Sequence, residues 1–295
     1  MPFMCYDLVM KAIFTDEVNI LAKMIADITG IDYEVLENNI ILETNEMPVN
    51  NLKEKAKRCD FILKIGKDHN LNLEVNANYY PGYIIKNLSY LFGIFSSFTK
   101  KNEEYNENML ATQVNLNCYK KNYDEALEQY QLREVNSHKL YTKNINIFNL
   151  NVVKCLELYY NLDNLDGVPK HIRWGTLIYN RDIEKIPDIV DGIMTIEERE
   201  RLMDKIDKLT KDDLFMSELE AREWDKWERK SMMTYAKNLG IAEGKAEGLA
   251  EGEAKGKEET TKELILSMLD NNATLEFISK VTNKTPDEIN KIINQ

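Results

Sequence analysis

Two short runs joined by a tight turn constrain the fold of this chain more than any other feature. Over residues 59–65, Phe61, Leu63 and Ile65 alternate with Asp60, Ile62 and Lys64. Over residues 71–75 the alternation returns, with Leu71, Leu73 and Val75 opposed to Asn72, Glu74 and Asn76. A period of two marks a strand with one face buried. Residues 66–70 are turn-like, so the two runs form a hairpin. Asp60 and Glu74 then lie on adjacent paired strands, each opposite its strand's apolar row.

The neighbouring segments extend this hairpin into an α/β unit. Residues 8–29 keep apolar positions at helical spacing (Val9, Ile13, Val18, Leu21, Ile25, Ile28), and Gly30 supplies a C-terminal stop. Ile40 and Leu42 mark an earlier strand. Pro81 and Gly82 precede a long amphipathic helix that ends near Phe98. Alternation resumes over residues 111–118, and after a charged insert residues 145–150 form a further strand. The order is helix, three strands, helix, strand: an αβββαβ core placed within residues 1–155.

Beyond it the pattern turns helical and charged. Residues 156–237 intersperse acids and bases around Trp224 and Trp227. Residues 238–260 carry glycine at every fourth position, Gly240, Gly244, Gly248, Gly252 and Gly256. Each internal glycine costs a helix about 1 kcal/mol relative to alanine, yet this spacing keeps the glycines near one face, where two helices can approach closely. Flexible linker and self-associating helix are both open; the Ala and Glu between the glycines favour the helix. Residues 261–295 form a small helical module in which Thr285, Pro286 and Glu288 combine a capping box with proline at the first helical position. A short helical cap and a helix-turn-helix-like DNA reader are both compatible with it.

The formal net charge of −12 argues against a protein that coats nucleic acid through bulk charge. Within it, residues 51–101 hold nine Lys and Arg (Lys53, Lys55, Lys57, Arg58, Lys64, Lys67, Lys86, Lys100, Lys101) against four acids. That basic island is the expected location of a polyanion partner. Cys5, Cys59, Cys118 and Cys155 are scattered, without metal-ligand spacing, as unpaired thiols of a cytoplasmic protein are. No apolar run approaches the roughly 18 residues that a membrane span requires.

Asp60 and Glu74 on one surface repel each other unless a cation lies between them. Oxygen ligands that leave several waters on the ion suit Mg²⁺, with Mn²⁺ as an alternative. At a phosphodiester such an ion lowers the pKa of water and neutralises developing charge. On the following helix Tyr83, Lys86, Asn87 and Tyr90 fall at i, i+3, i+4 and i+7, a polar stripe suited to phosphate. Ile84, Ile85, Leu88, Leu91, Phe92 and Phe95 are expected to face the core. Asp7 and Lys11 are read as an ordinary i, i+4 helix pair in preference to residues lining the site.

The αβββαβ order with Asp60 and then Glu74-Val75-Asn76 resembles the PD-(D/E)XK nuclease superfamily. More narrowly, it resembles the recombination-promoting nuclease and putative transposase family. The opening Asp7-Leu8-Val9-Met10-Lys11 with Phe14, the Lys86-Asn87 and Tyr90 helix, and the glycine-repeat C-terminal half carry the likeness. The resemblance implies a restriction-endonuclease-like α/β domain cleaving DNA, with Asp60 and Glu74 as metal ligands and the Val75 carbonyl as a third. Asn76 takes the place usually held by Lys or Gln and would position water. Lys64 or Lys86 then supplies the missing charge, while Tyr83, Asn87 and Tyr90 contact substrate. The helical half is expected to assemble the chain into a homo-oligomer. Two rivals stand beside this expectation: a degenerate nuclease fold that binds DNA or a protein without cutting, and a self-associating helical scaffold whose function resides in the glycine repeat.

Overall fold

The computed structural model describes residues 3–43, 59–79, 81–97, 106–162, 167–180 and 185–293, and divides into two compact units, residues 1–216 and 217–295. Lys53, Lys55, Lys57, Arg58, Lys100 and Lys101 of the basic island lie outside the described residues.

The first unit is built on a mixed sheet of six strands: β1 (Ile40–Glu43), β2 (Phe61–Ile65), β3 (His69–Asn76), β4 (Leu110–Asn117), β5 (Leu127–Gln131) and β6 (Ile145–Asn151). Their spatial order is β1-β2-β3-β4-β6-β5. The first three form an antiparallel meander, β4 and β6 add in parallel, and β5 closes the edge antiparallel to β6. The β2–β3 hairpin has the expected turn, with Gly66 at φ +64°, and pairs Phe61 with Leu73. β5 was not expected: it lies inside what reads as a charged insert. As an edge strand it needs no continuous apolar face, and only one of its sides is paired.

The expected helix over residues 8–29 is instead two, α1 (Asp7–Phe14) and α2 (Val18–Thr29), the second ended by Gly30 at φ +74°. The corner between them presents Asp16 and Glu17 to Lys205 and Arg201. Those partners belong to α8 (Ile196–Lys211), which starts at a capping box of Thr195 and Glu198. A short helix, α3 (Tyr33–Asn39), follows, with Asp32 accepting from the Glu34 N–H at 3.0 Å. α5 (Val152–Tyr160) and α6 (Lys170–Tyr179) pack so closely that a Cβ on Gly175 would meet Cys155 at 2.5 Å. Between α6 and α8 lies α7 (Ile186–Ile189). The row of Leu71, Leu73, Val114, Leu116 and Leu150 is buried, with α2, α3, α5 and α6 packed against the sheet.

The other side of the sheet is polar and is covered by α4 (Tyr83–Ser96). This helix is turned relative to expectation. Tyr83 and Asn87 are buried, whereas Ile84, Ile85 and Phe92 are 53%, 69% and 49% exposed. The reason lies in what α4 covers: Gln113, Asn115 and Asn117 line that sheet face and match the helix's polar stripe. Only its C-terminal half meets apolar partners, where Leu91 and Ile94 pack with Ala111 and Ile145.

In the second unit the helix α9 (Asp213–Asp270) carries the glycine repeat, so the helical alternative is the one adopted. A Cβ on any of the five glycines would meet nothing within 4 Å, so among the described residues no helix uses their close-approach capacity. Every-fourth spacing drifts by about 40° per step on a helix of 3.6 residues per turn, so the stripe winds round the surface. After a break at Asn272 (φ +61°), α10 (Leu275–Thr282) and α11 (Pro286–Ile293) pack Ile278 and Ile289 against Ile265 of α9. The Thr285 box forms as expected, with its N–H donating to Glu288 at 2.7 Å.

Candidate functional site

β2 ends its pairing at Phe61 opposite Leu73, so Asp60 stands just beyond the ladder and the β2-facing edge of Val75 is unpaired by backbone. Asp60 fills that gap: its Oδ2 accepts from the Val75 N–H at 2.7 Å. In return the Asp60 N–H donates to Glu74 Oε1 at 3.1 Å. These reciprocal bonds hold the two carboxylates in one cluster on neighbouring strands. The N–H and C=O of a strand residue point to the same side, so the Val75 carbonyl shares this edge.

Two lysines complete the cluster. Lys86 Nζ of α4 donates to Glu74 Oε2 at 2.7 Å and lies 5.2 Å from the Tyr90 ring centroid. Lys11 Nζ of α1 lies 3.6 Å from Asp60 Oδ1. The expectation that Asp7 and Lys11 form only a local helix pair is therefore corrected: Lys11 faces Asp60, and Asp7 is close enough to act on its charge. Sequence spacing cannot show this, because the contact bridges 49 positions.

Burial dominates the electrostatics. It pushes the Glu74 carboxyl up to about 7, and the Asp60 charge adds to the rise while Lys86 opposes it. Burial likewise raises Asp60, against the Val75 N–H and Lys11. For Lys86 burial works against the charge, but Glu74 and Asp60 outweigh it and hold the ammonium above the usual lysine range. Beside them, burial pushes the Cys59 thiol up to about 12, with Glu74 and Asp60 adding to it, so this thiol is inert.

The remaining expected residues are placed differently. Asn76 is 6% exposed, and its Nδ2 donates to Asn117 Oδ1 at 3.1 Å. Asn87 donates to Asn115 Oδ1 at 2.7 Å, away from the carboxylates. Tyr83 is stacked edge-on with Tyr79 and Tyr119, at 5.6 and 5.8 Å. Lys64 lies four residues along the strand from Asp60, about 13 Å at 3.3 Å per residue, and is exposed. The structure thus brings Asp60, Glu74, Lys86 and Tyr90 together and adds Lys11.

A second polar feature went unread. Asn72 donates to Gln113 (2.9 Å), Gln113 to Asn115 (2.8 Å), Asn115 to Asn149 (2.8 Å), and Asn117 to Asn151 (3.1 Å). Asn72 and Gln113, Asn115 and Asn149, and Asn117 and Asn151 are cross-strand neighbours in register, Gln113 and Asn115 alternate along β4, and this alternation in β3, β4 and β6 was the available signal. A buried face made of amides is stable only when nearly every donor and acceptor is matched.

Among the described residues no group of three or more His, Cys, Asp or Glu is poised to hold a metal ion. Asp60, Glu74 and the Val75 carbonyl are nevertheless an all-oxygen set of the kind a hard dication accepts, with water in its other positions. Burial raises the proton affinity of both carboxylates, and their oxygens already face Lys86, Lys11 and the Asp60 and Val75 N–H groups, so an ion there would take the place of the lysines. Among the described residues, Asp60, Glu74 and the Val75 carbonyl are the oxygen donors that could hold such an ion.

No family model, curated protein or solved structure matches this chain. Among the described residues no helix is long and apolar enough to cross a membrane.

Proposed function

We propose that the first unit is a Mg²⁺-dependent DNA endonuclease of PD-(D/E)XK type, related to the recombination-promoting nucleases and putative transposases. The observation that carries this reading is the Asp60–Glu74–Lys86 cluster: two carboxylates from neighbouring segments, held by the Val75 and Asp60 N–H groups, with Lys86 on Glu74 and Lys11 on Asp60. Asp60, Glu74 and the Val75 carbonyl would hold Mg²⁺ (or Mn²⁺), which when bound lowers the pKa of a water and offsets charge on the phosphate.

The chain's own residues do the rest. The Val75 and Asp60 amides fix the carboxylates in place, so little reorganisation is needed when an ion or substrate arrives. Lys86 supplies the positive charge that the superfamily usually places two residues after the glutamate, where this chain has Asn76. Its ammonium, braced by Tyr90, can swing from Glu74 to a phosphate oxygen as charge builds there. Lys11 balances Asp60 from the other side. Asn76, held by Asn117, is left to orient water, and Lys64 to meet the strand further out. Self-association through α9 and a cytoplasmic setting belong to the same proposal.

The saturation of both carboxylates by lysines and amide donors favours a second reading, a nuclease-like fold that grips DNA without cutting it. Nicking of supercoiled plasmid with Mg²⁺ and with EDTA separates the two. Metal-dependent nicking supports the enzyme; DNA binding with no nicking in Mg²⁺ or Mn²⁺ supports the binding module.

A further inference from the structure

Beside the carboxylate cluster, a cavity of about 480 Å³ opens between α4 and the amide face of the sheet. That volume falls within the range of sites that enclose small ligands. Its floor is the amide ladder: Gln113, Asn115 and Asn149 line it with side chains that are bonded to one another. Tyr83 and Tyr123 supply aromatic walls, and Lys121 stands at its mouth with Nζ 5.7 Å from the Tyr123 ring centroid.

The polar atoms of the lining residues left without a partner include acceptor oxygens and the Tyr123 hydroxyl, which can donate or accept. Asn87 is 3% exposed and gives its Nδ2 to Asn115, while its Oδ1 is buried without a hydrogen-bond partner. Both bonds that the structure shows to Glu128, from Tyr130 and Asn149, go to Oε2, which leaves Oε1. The Asp124 carboxylate also lines the cavity. A flat ring that stacks on tyrosine, brings N–H donors and trails an anion toward a lysine matches these features together.

We propose that this cavity takes one unstacked nucleobase bearing an exocyclic amino group, as part of a single strand whose phosphate meets Lys121. The proposal deepens the nucleic-acid reading above and rests on it for the class of substrate, though not for cleavage. Thymine, with carbonyl oxygens where adenine and cytosine carry amino groups, would face Asn87 Oδ1 and Glu128 with acceptors.

The test uses the full chain in EDTA, so that cleavage plays no part. Labelled single strands of equal length, oligo(dA), oligo(dC), oligo(dT) and an abasic strand, are titrated by fluorescence anisotropy. Wild type is expected to bind oligo(dA) and oligo(dC) about tenfold more tightly than oligo(dT), the scale of one hydrogen bond to a charged acceptor. Glu128→Gln, which offers an N–H₂ in place of an acceptor, should erase that preference. Tyr123→Ala should reduce every base-bearing strand to the level of the abasic one. Equal affinity of wild type for oligo(dA) and oligo(dT), or a preference untouched by Glu128→Gln, overturns the proposal. Preferential binding of free dAMP with no preference among strands overturns the assignment to a strand. Base preference without metal-dependent nicking would sink the endonuclease and leave this pocket standing; nicking without base preference would do the reverse.

Discussion

Lys86 and Glu74 meet at 2.7 Å although one is on a helix facing solvent at its tip and the other is buried in the centre of a sheet. Their side chains are 33% and 1% exposed, so the carboxylate has given up its water for one lysine and the N–H groups of Asp60 and Asn72, against the repulsion of the Asp60 charge. Such a group is poised between protonation and capture of a cation. That poise links the stability of the domain to its chemistry.

The pH dependence follows from Glu74. Its carboxyl lies at about 7 in the folded protein and near 4.5 when unfolded, so the folded state binds the extra proton between those values. Glu74's own contribution to stability is therefore full below about pH 4.5 and is lost as pH rises through about 7, with Asp60 acting in the same direction and His69, held down at about 4 by burial, acting in the opposite one. Urea melts in EDTA across this window should show the decline, and Glu74→Gln should flatten it. An unchanged slope in the variant would mean that Glu74 is not the group responsible.

Metal binding should run the other way with pH. An ion needs both carboxylates ionised, so Mg²⁺ should raise the melting temperature more at pH 8 than at pH 6. At about a hundred times its Kd the ion stabilises by about 2.7 kcal/mol. Asp60→Asn should show no such rise at either pH. An equal rise in variant and wild type would place the ion elsewhere.

The amide ladder predicts a structural cost at the floor of the cavity. Asn115 takes bonds from Asn87 and Gln113 and gives one to Asn149. Asn115→Leu would strand all three partners in a buried layer, at about 1–3 kcal/mol for each group left unpaired. Calorimetry should record a loss of about 3 kcal/mol or more. A loss below about 1 kcal/mol would show that water replaces the ladder readily.

How far these features can be read from residues alone differs by element. The β2–β3 hairpin, β4, β6 and the terminal helices are legible because each has a clear period and a turn or cap of known chemistry. β5 is not, since an edge strand with one paired side tolerates Glu128, Gln129 and Gln131. The corner at residues 15–17 is hidden because helical spacing continues through it. The orientation of α4 is misread for an instructive reason: apolar residues are assumed to face inward, yet the sheet beneath α4 is itself polar. Asp60, Glu74 and Lys86 can be nominated from spacing, while Lys11 and the acceptor-lined cavity depend on contacts between segments far apart in sequence.

The central claim, that Asp60, Glu74 and Lys86 form a cleaving centre, is tested most directly by single-turnover nicking of supercoiled plasmid at saturating enzyme and Mg²⁺. Wild type should nick, and EDTA or Asp60→Asn should abolish it. Lys86→Ala should slow the step by about a hundredfold, the scale of removing one donor from a charged transition state, with a smaller loss in DNA affinity. Nicking by Asp60→Asn at the wild-type rate, or a wild type that binds the plasmid and never nicks it in Mg²⁺ or Mn²⁺, would contradict the claim.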